Sequence, residues 1–250
     1  MSDDERRHRT IWVSDVHLGW SECMVDAFLD FIKKNKADTW YLVGDVVDEW
    51  MLRRNWGWPQ KHSDVIQKLL REARKGSRIV WVVGNHDAFL RSLLPLSMGN
   101  LTVVDEAIHE TADGRRILVI HGDIFDVVVK HVRWLAVFGS YGYSVLLSLG
   151  RVVDGIRGFL GLERWSLSAY IKQGVKGVIG YIGNYQKTVE AYASSNGMDG
   201  VVCGHIHKAA ADDARGYYNA GDWVESCTAI VEDDRGNMRL LSFDAPPRKG

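Results

Sequence analysis

The sequence feature that most constrains the fold is a set of five short motifs rich in aspartate and histidine. Each motif comes directly after an apolar run. The runs are β-branched or aromatic, which is typical of strands buried on both faces of a sheet covered by helices. Ligands of such sheets collect at the carboxyl ends of the strands, so we expect the five motifs to meet in space. The motifs are Asp15-Val16-His17, Gly44-Asp45-Val46-Val47-Asp48, Gly84-Asn85-His86-Asp87, His121-Gly122-Asp123 and Gly204-His205-Ile206-His207.

The motifs supply the ligand types of a metal centre. Carboxylate, imidazole and amide-oxygen ligands suit Mn²⁺, Fe²⁺ or Zn²⁺, and a set of this size suits a two-metal hydrolytic site. The alternative, that these residues only cap helices and satisfy turns, does not explain all five motifs. The candidate metal ligands are Asp15, His17, Asp45, Asn85, His121, His205 and His207, with His86 left over.

In content and order the five motifs resemble the calcineurin-like metallophosphoesterase superfamily, over residues 15–207. Within it the chain is most similar to the UDP-2,3-diacylglucosamine hydrolase branch. That similarity depends on four features: the short length, Gly44-Asp45 continuing into Asp48-Glu49-Trp50, the His121-Gly122-Asp123 block, and a long insertion before Gly204.

The resemblance implies roles for the motif residues. One metal ion would be held by Asp15, His17, Asp45 and His207. The other would be held by Asp45, Asn85, His121 and His205, with Asp45 bridging the two. His86 is then expected to be catalytic, as an acid or as a stabiliser of the phosphoryl oxygens, and Asp48 is expected to orient it. The implied cofactors are two divalent ions, Mn²⁺ first, with Fe²⁺ or Zn²⁺ as alternatives.

The chain departs from the hydrolase branch at two positions. That branch typically carries an arginine where this chain has His86 and a glutamate where it has Asp48. At both positions the chain follows the wider superfamily. The departure does not touch the predicted metal ligands, but it leaves the substrate open.

The predicted fold class is α/β: a four-layer metallophosphoesterase sandwich of two mixed β-sheets flanked by helices, with a helical cap insertion. The pattern predicts a helix over residues 26–34 and another over 63–75 with Ser63 as its N-cap. Short strands are predicted over residues 216–220, 227–232 and 238–243. We expect residues 1–250 to form a single metallophosphoesterase domain.

Residues 126–198 are predicted to form the helical cap within that domain. The segment carries a net charge of +4 while the rest of the chain carries −5, and it contains an uncharged 17-residue stretch over 134–150. That stretch is shorter than the roughly 20 residues of a membrane span. One interpretation makes it a cap with an apolar groove for acyl chains and a basic face toward anionic lipid. The other makes it a helical hairpin that packs on the core.

Charge and cysteine content indicate which kinds of partner and which cellular compartment to expect. A net charge of −1 does not indicate a nucleic-acid partner. Three cysteines without C-x-x-C spacing favour a reduced compartment, and the polar N-terminus predicts no signal peptide. We therefore expect a cytoplasmic enzyme, peripheral on the inner membrane where a lipid substrate requires it.

The predicted function is hydrolysis of a lipid-linked nucleotide diphosphate, with UDP-2,3-diacylglucosamine converted to UMP and the lipid monophosphate as first candidate. A second hypothesis keeps the metal centre and replaces the substrate by another lipid phosphate, a soluble phosphodiester or a nucleotide. A third is a non-catalytic scaffold on the same fold.

Overall fold

The computed structural model describes residues 5–54, 57–128 and 185–244. The chain divides into two compact units, Met1–Asp123 with Val189–Gly250, and Ile124–Thr188. Most of the predicted cap, residues 126–198, lies outside the described residues, and its helical hairpin or groove remains a prediction. Of its described part, residues 185–195 are helical.

Twelve strands in the described residues form two mixed sheets. The first has seven strands in the order β12-β11-β1-β2-β3-β5-β4, and the second has five in the order β6-β7-β8-β10-β9. Strands β1, β2, β3 and β5 run parallel, as do β7, β8 and β10. The strands are β1 Arg6–Val13, β2 Asn35–Val43, β3 Arg78–Val82, β4 Leu96–Met98, β5 Leu101–Val104, β6 Glu106–Glu110, β7 Arg116–Ile120, β8 Gly200–Cys203, β9 Ala210–Asp212, β10 Tyr217–Asn219, β11 Thr228–Glu232 and β12 Met238–Ser242.

Two of the described helices pack on one face of the seven-stranded sheet. The described helices are α1 Val25–Lys34, α2 Glu49–Arg54, α3 Gln60–Arg74 and α4 over residues 185–195, with 3₁₀ segments at Ala88–Leu93 and Asp123–Val128. Phe28 and Phe31 of α1 and Val65 of α3 share a buried cluster with Ile11 and Trp40 of the sheet. The predicted α/β class with two mixed sheets and helices is confirmed.

The two sheets pack face to face through a second buried cluster. Alternate residues of each strand point into it, because side chains of a strand alternate between its faces. Trp12 and Tyr41 of the first sheet stack there with ring centroids 5.6 Å apart, and Val119 and Val202 come from the second sheet. In the part of the chain that is described, no helix is long and apolar enough to cross a membrane.

The predicted start of α3 is wrong. Ser63 was expected as the N-cap, but the helix begins at Gln60 after Pro59, whose φ of −60° and ψ of 146° form the cap. Proline is tolerated at the start of a helix, because the backbone N–H that it lacks would have no acceptor within the helix. Ser63 lies inside the helix and its Oγ accepts a hydrogen bond from Trp58 Nε1, 2.8 Å away.

A buried carboxylate joins the two sheets at the end remote from the motifs. Glu232 of β11 has a fully buried side chain; its Oε1 accepts from Arg9 Nη1 at 2.7 Å and from the backbone N–H of Ala112 at 2.8 Å. Its Oε2 accepts from His109 Nε2 of β6 at 2.9 Å. Burial raises the pKa of Glu232, but the hydrogen bonds from His109, Thr10 and the Ala112 N–H together lower it below the ordinary value.

We expect Glu232→Gln to lower the free energy of unfolding at pH 7 by about 1–3 kcal/mol, since hydrogen bonds to a buried charge are lost. A depressed carboxyl pKa means that this stabilisation is complete above the ordinary pKa near 4.5. It disappears as the pH falls through the lower folded-state pKa. Urea titrations from pH 7 downward should show the gap between wild type and variant closing in acid. Glu110→Gln, on an exposed position of β6, is the control; an equal loss in both variants would contradict the prediction.

Candidate metal centre

All five motifs lie in loops that leave the carboxyl ends of parallel strands. Asp15 and His17 follow β1, Asp45 follows β2, and the loop with Asn85 and His86 follows β3. His121 follows β7, and His205 and His207 follow β8. The two sheets meet at this end, because His121 Nδ1 donates to Val43 O at 3.0 Å and His205 N donates to Asp15 Oδ2 at 2.9 Å. The predicted convergence of the motifs is therefore present in the structure.

The first group of side chains that could hold a metal ion is Asp15, His17 and His207, with one ligand atom each, all within 4.8 Å of one another. His207 Nε2 lies 3.1 Å and His17 Nε2 lies 3.7 Å from Asp15 Oδ1. The other oxygen, Asp15 Oδ2, is occupied by the hydroxyl of Ser14 at 2.5 Å and the backbone N–H of His205 at 2.9 Å. Asp15 thus presents one oxygen, Oδ1, to an ion.

The second group is Asp45, His121 and His205, again within 4.8 Å. Asp45 Oδ1 accepts the backbone N–H of His86 at 2.8 Å, and Asp45 Oδ2 lies 3.3 Å from His121 Nε2. The bond from His121 Nδ1 to Val43 O occupies that nitrogen, so Nε2 is the nitrogen that would bind a metal ion once it has lost its proton. Asp45 also groups with His17 and His86, which places it between the two clusters.

Three buried oxygens in these loops accept no hydrogen bond from the described residues: Asp15 Oδ1, Asp45 Oδ2 and Asn85 Oδ1. A buried acceptor without a partner costs free energy, so it points to a ligand. Two of them are the carboxylate oxygens that face the histidines, and the third is the amide oxygen that suits a hard cation. The residues present therefore fit a pair of divalent ions.

Asp48 connects the first cluster to His86. Its Oδ2 accepts from His17 Nδ1 at 2.9 Å, and its Oδ1 lies 3.0 Å from His86 Nδ1. The backbone N–H of Met51 also donates to Asp48 Oδ1, at 2.9 Å. These contacts leave Nε2 of both histidines facing the site. The contact of Asp48 with His17 is an addition to what the sequence predicted, which was a contact with His86 alone.

His86 lies against Trp50. The two ring centroids are 4.0 Å apart, and the imidazole of His86 also meets His17 edge-on at 4.7 Å. The side chain of His86 is buried, whereas Trp50 is 52% exposed. His207 is 28% exposed, while Asp15, His17, Asp45 and His121 are buried. The site is therefore open at His207 and Trp50.

Asp87 fastens two of the loops together. Its Oδ1 accepts from Gly84 N at 2.6 Å, and its Oδ2 accepts from Val46 N at 2.9 Å and from Trp81 Nε1 at 3.0 Å. Its side chain does not cap the 3₁₀ segment that follows, and it instead holds the second motif to the third.

Opposite charges shift the pKa values in the site. Burial lowers the pKa of His17, but Asp15 and Asp48 raise it to about 9. Burial lowers the pKa of His121, but Asp45 raises it to about 10. Burial raises the pKa values of Asp15 and Asp45, yet the histidines hold both well below their usual range. The carboxylates are therefore ionised, and their field favours cations.

Gly84 is needed for the close approach of the loops. A Cβ at this position would lie 2.3 Å from Asp45 Oδ1, 2.5 Å from Asp45 N and 2.9 Å from His121 Cδ2. We expect Gly84→Ala to displace Asp45 and to weaken the second ion by at least about tenfold, as for altered outer-shell contacts. Isothermal titration with Mn²⁺ measures this.

Gly99→Ala is the matched control for the glycine variant. Its φ of +59° makes alanine strained there, but nothing lies within 4 Å of the added Cβ, so only stability should change. Wild-type Mn²⁺ affinity in Gly84→Ala would contradict the prediction.

Comparison with known proteins agrees with this geometry. The profile of the family described as calcineurin-like phosphoesterase matches residues 8–209. A UDP-2,3-diacylglucosamine hydrolase of Blochmanniella pennsylvanica is 26% identical over 157 residues, 59% of this chain and 62% of that protein. A protein of the same name from Chromohalobacter salexigens is 28% identical over 117 residues, 46% of each chain. The chain thus matches less than two thirds of the length of either relative.

Among solved structures, Vps29 of Entamoeba histolytica matches at 12% identity with a TM-score of 0.44. The match covers 94% of this chain and 99% of that one.

Proposed function

The chain belongs to the calcineurin-like phosphoesterase family, and we propose that it is a two-metal phosphoesterase that cleaves UDP-2,3-diacylglucosamine to UMP and the lipid monophosphate. One observation carries the proposed chemistry. Two clusters of ligand atoms, one around Asp15 and one around Asp45, lie side by side at the carboxyl ends of five strands. The proposed substrate is supported by the names of the two hydrolases that the chain resembles.

In this proposal Asp15, His17 and His207 hold one ion, and Asn85, His121 and His205 hold the other, with Asp45 between them. We propose Mn²⁺ for both ions, because oxygen and imidazole ligands without thiolate suit it. When bound, such ions neutralise the phosphoryl oxygens and make water a better nucleophile. The protein's own part is to hold the ligand atoms in place through Ser14, Asp48, Asp87 and the carbonyl of Val43.

His86 is the proposed catalytic residue. Asp48 holds its Nδ1, so Nε2 faces the site, where it lies 3.9 Å from Asp45 Oδ2. A proton on Nε2 can be given to a phosphoryl oxygen or to the leaving oxygen. In the cleavage, water adds to one phosphorus of the diphosphate, and the bridging oxygen leaves with the other phosphorus. Trp50 covers one face of His86 and limits its access to water.

A lipid substrate would bring the protein to a membrane surface. We propose that the enzyme acts in the cytoplasm, peripheral on the inner membrane, with residues 126–198 as the cap that receives the acyl chains. Its support is the sequence alone: a net charge of +4 and a high apolar content in that segment.

The His86–Asp48 pair supports a second candidate, a soluble phosphodiester or nucleotide. The diacylglucosamine hydrolases typically have arginine and glutamate at these positions. In this chain the imidazole of His86 lies 3.0 Å from the carboxylate of Asp48, whose side chain is shorter than that of glutamate. This pair leaves a proton donor, rather than a permanently charged guanidinium, next to the bound phosphates.

The deciding experiment measures Mn²⁺-dependent release of UMP from UDP-2,3-diacylglucosamine in mixed micelles, beside hydrolysis of bis(p-nitrophenyl) phosphate without detergent. UMP release that requires Mn²⁺ and the lipid substrate would support the first candidate. Hydrolysis of the soluble diester without UMP release would reject that substrate and favour the second candidate. No hydrolysis of either compound, with Mn²⁺ bound, would overturn both.

A further inference from the structure

A buried histidine outside the five motifs binds the loop that carries His17. His62 lies in the first turn of α3 and is 4% exposed. The backbone N–H of Gly19 donates to its Nδ1 at 2.7 Å. Nothing in the sequence pattern distinguishes His62 from an ordinary surface or core histidine. Its contact lies two residues from His17, which belongs to the first metal-ligand cluster.

The loop from His17 to Gly19 is held by a short series of backbone hydrogen bonds. His17 N donates to Asp45 O at 2.9 Å, and Leu18 N donates to Val46 O at 2.8 Å. Asp48 N donates back to Leu18 O at 2.8 Å. The series continues at Gly19, whose N–H is directed to His62. The loop is therefore anchored to the second motif by backbone hydrogen bonds and to α3 by His62.

Gly19 also packs closely against α2. Its φ is +102°, and a Cβ would lie 2.8 Å from Leu52 Cγ of α2, so the backbone is already in close contact with that helix. The imidazole of His62 is itself fixed, since Trp58 meets it edge-on with ring centroids 5.6 Å apart. Because the His62 ring and the Gly19 backbone are both confined, the 2.7 Å hydrogen bond between them fixes the position of this loop.

Only one form of His62 can serve as the acceptor. Nδ1 needs a free electron pair, so the ring must be neutral with its proton on Nε2. Burial lowers the pKa of His62, which favours the neutral ring. The structure thus holds His62 in the form that the bond from Gly19 requires.

We propose that His62 is a positioning residue for the first metal ion. Through Gly19 it holds the loop in which His17 adopts a φ of +53° and presents Nε2 toward Asp15 and His207. The inference rests on the proposed function insofar as these three residues hold an ion. It adds a residue that touches neither metal nor substrate.

Two substitutions separate the hydrogen bond from the packing of the ring. His62→Phe keeps a ring against Trp58 but has no acceptor. His62→Asn loses the ring but can place Oδ1 near the position of Nδ1. Metal-free protein is titrated with Mn²⁺, and bound ions per chain are counted by equilibrium dialysis. Amide exchange of residues 17–20 is followed by mass spectrometry.

For His62→Phe we expect the first ion to bind about 10- to 100-fold more weakly, the range for groups that orient metal ligands, with the second ion unchanged. Exchange at Gly19 should be faster. His62→Asn should bind both ions nearly as wild type does. His8→Phe is the control, because His8 is also buried and bonded, to Asn35 Oδ1 at 3.1 Å, but lies at the opposite end of β1. That variant should lose stability without losing metal.

The role of His62 is overturned if folded His62→Phe binds both ions as wild type does, or if both ions weaken equally. It is also overturned if His62→Asn folds and loses the first ion; that outcome decides the question even where the phenylalanine variant does not fold. A wild-type protein that binds no Mn²⁺ would instead overturn the proposed function. The binding assay needs no substrate, so an error about the substrate cannot affect it.

Discussion

Asp45→Asn is expected to reduce bound Mn²⁺ from two ions to at most one per chain and to lower phosphodiester turnover by at least about 1,000-fold. The reason is that Asp45 Oδ2 is a buried oxygen without a hydrogen-bond donor among the described residues, and it lies between the two clusters. An amide nitrogen at that position would face His121 Nε2, 3.3 Å away, without the negative charge that attracts an ion. A loss of about 1,000-fold corresponds to roughly 4 kcal/mol of transition-state stabilisation.

The measurement is ion content by mass spectrometry together with turnover of bis(p-nitrophenyl) phosphate at saturating Mn²⁺. Asparagine preserves the oxygen that accepts the His86 N–H, and it tolerates the φ of +52° at this position, so the backbone should persist. Asp38→Asn, exposed at the other end of the sheet, is the control. Two tightly bound ions in Asp45→Asn would show that Asp45 does not bridge.

His86→Ala is expected to lower turnover by about 100- to 10,000-fold, the range for loss of a positioned proton donor, while both ions stay bound. Only the imidazole is removed; the backbone N–H that donates to Asp45 Oδ1 remains. The contrast with Asp45→Asn is therefore in ion content. Asp48 keeps its bond with His17, so the first cluster should persist.

Turnover and ion content of His86→Ala should be measured on the same preparation. Unchanged turnover would sink the catalytic role of His86. A parallel loss of one ion would mean that His86 acts as a ligand, which its grouping with His17 and Asp45 makes a real alternative to test.

The sequence predicted the five motif-bearing strands because each is a short apolar run that ends at a polar motif. These are local features, and the strands β1, β2, β3, β7 and β8 end where the runs end. Strands β4, β5, β6 and β9 were not predicted. They have three to five residues each, partly exposed, and their pairing depends on partners elsewhere in the chain. Such context decides β structure more than the residues themselves do.

The candidate site likewise combines features that are local in the sequence with contacts that depend on distant parts of the chain. The convergence of the motifs could be predicted from the rule for strand ends, and all of the expected ligand residues lie in those loops. The support around them could not. The supporting hydrogen bonds join Ser14 to Asp15, Asp48 to His17 and His62 to Gly19. The first links neighbouring residues, and the other two link residues that lie far apart in the sequence. No spacing in the sequence encodes which carboxylate oxygen or which ring nitrogen is used.

Five of the seven proposed metal ligands have a left-handed backbone: Asp15, His17, Asp45, His205 and His207, with φ between 51° and 69°. Aspartate and histidine tolerate this region better than most residues, yet each such residue costs of order 1–3 kcal/mol. Glycine would remove this backbone cost at every one of these positions, and it would bind nothing. Backbone conformation and metal binding therefore make opposite demands at the same five residues. A copy of this fold released from the need to bind metal would no longer have a ligand to offset that backbone cost.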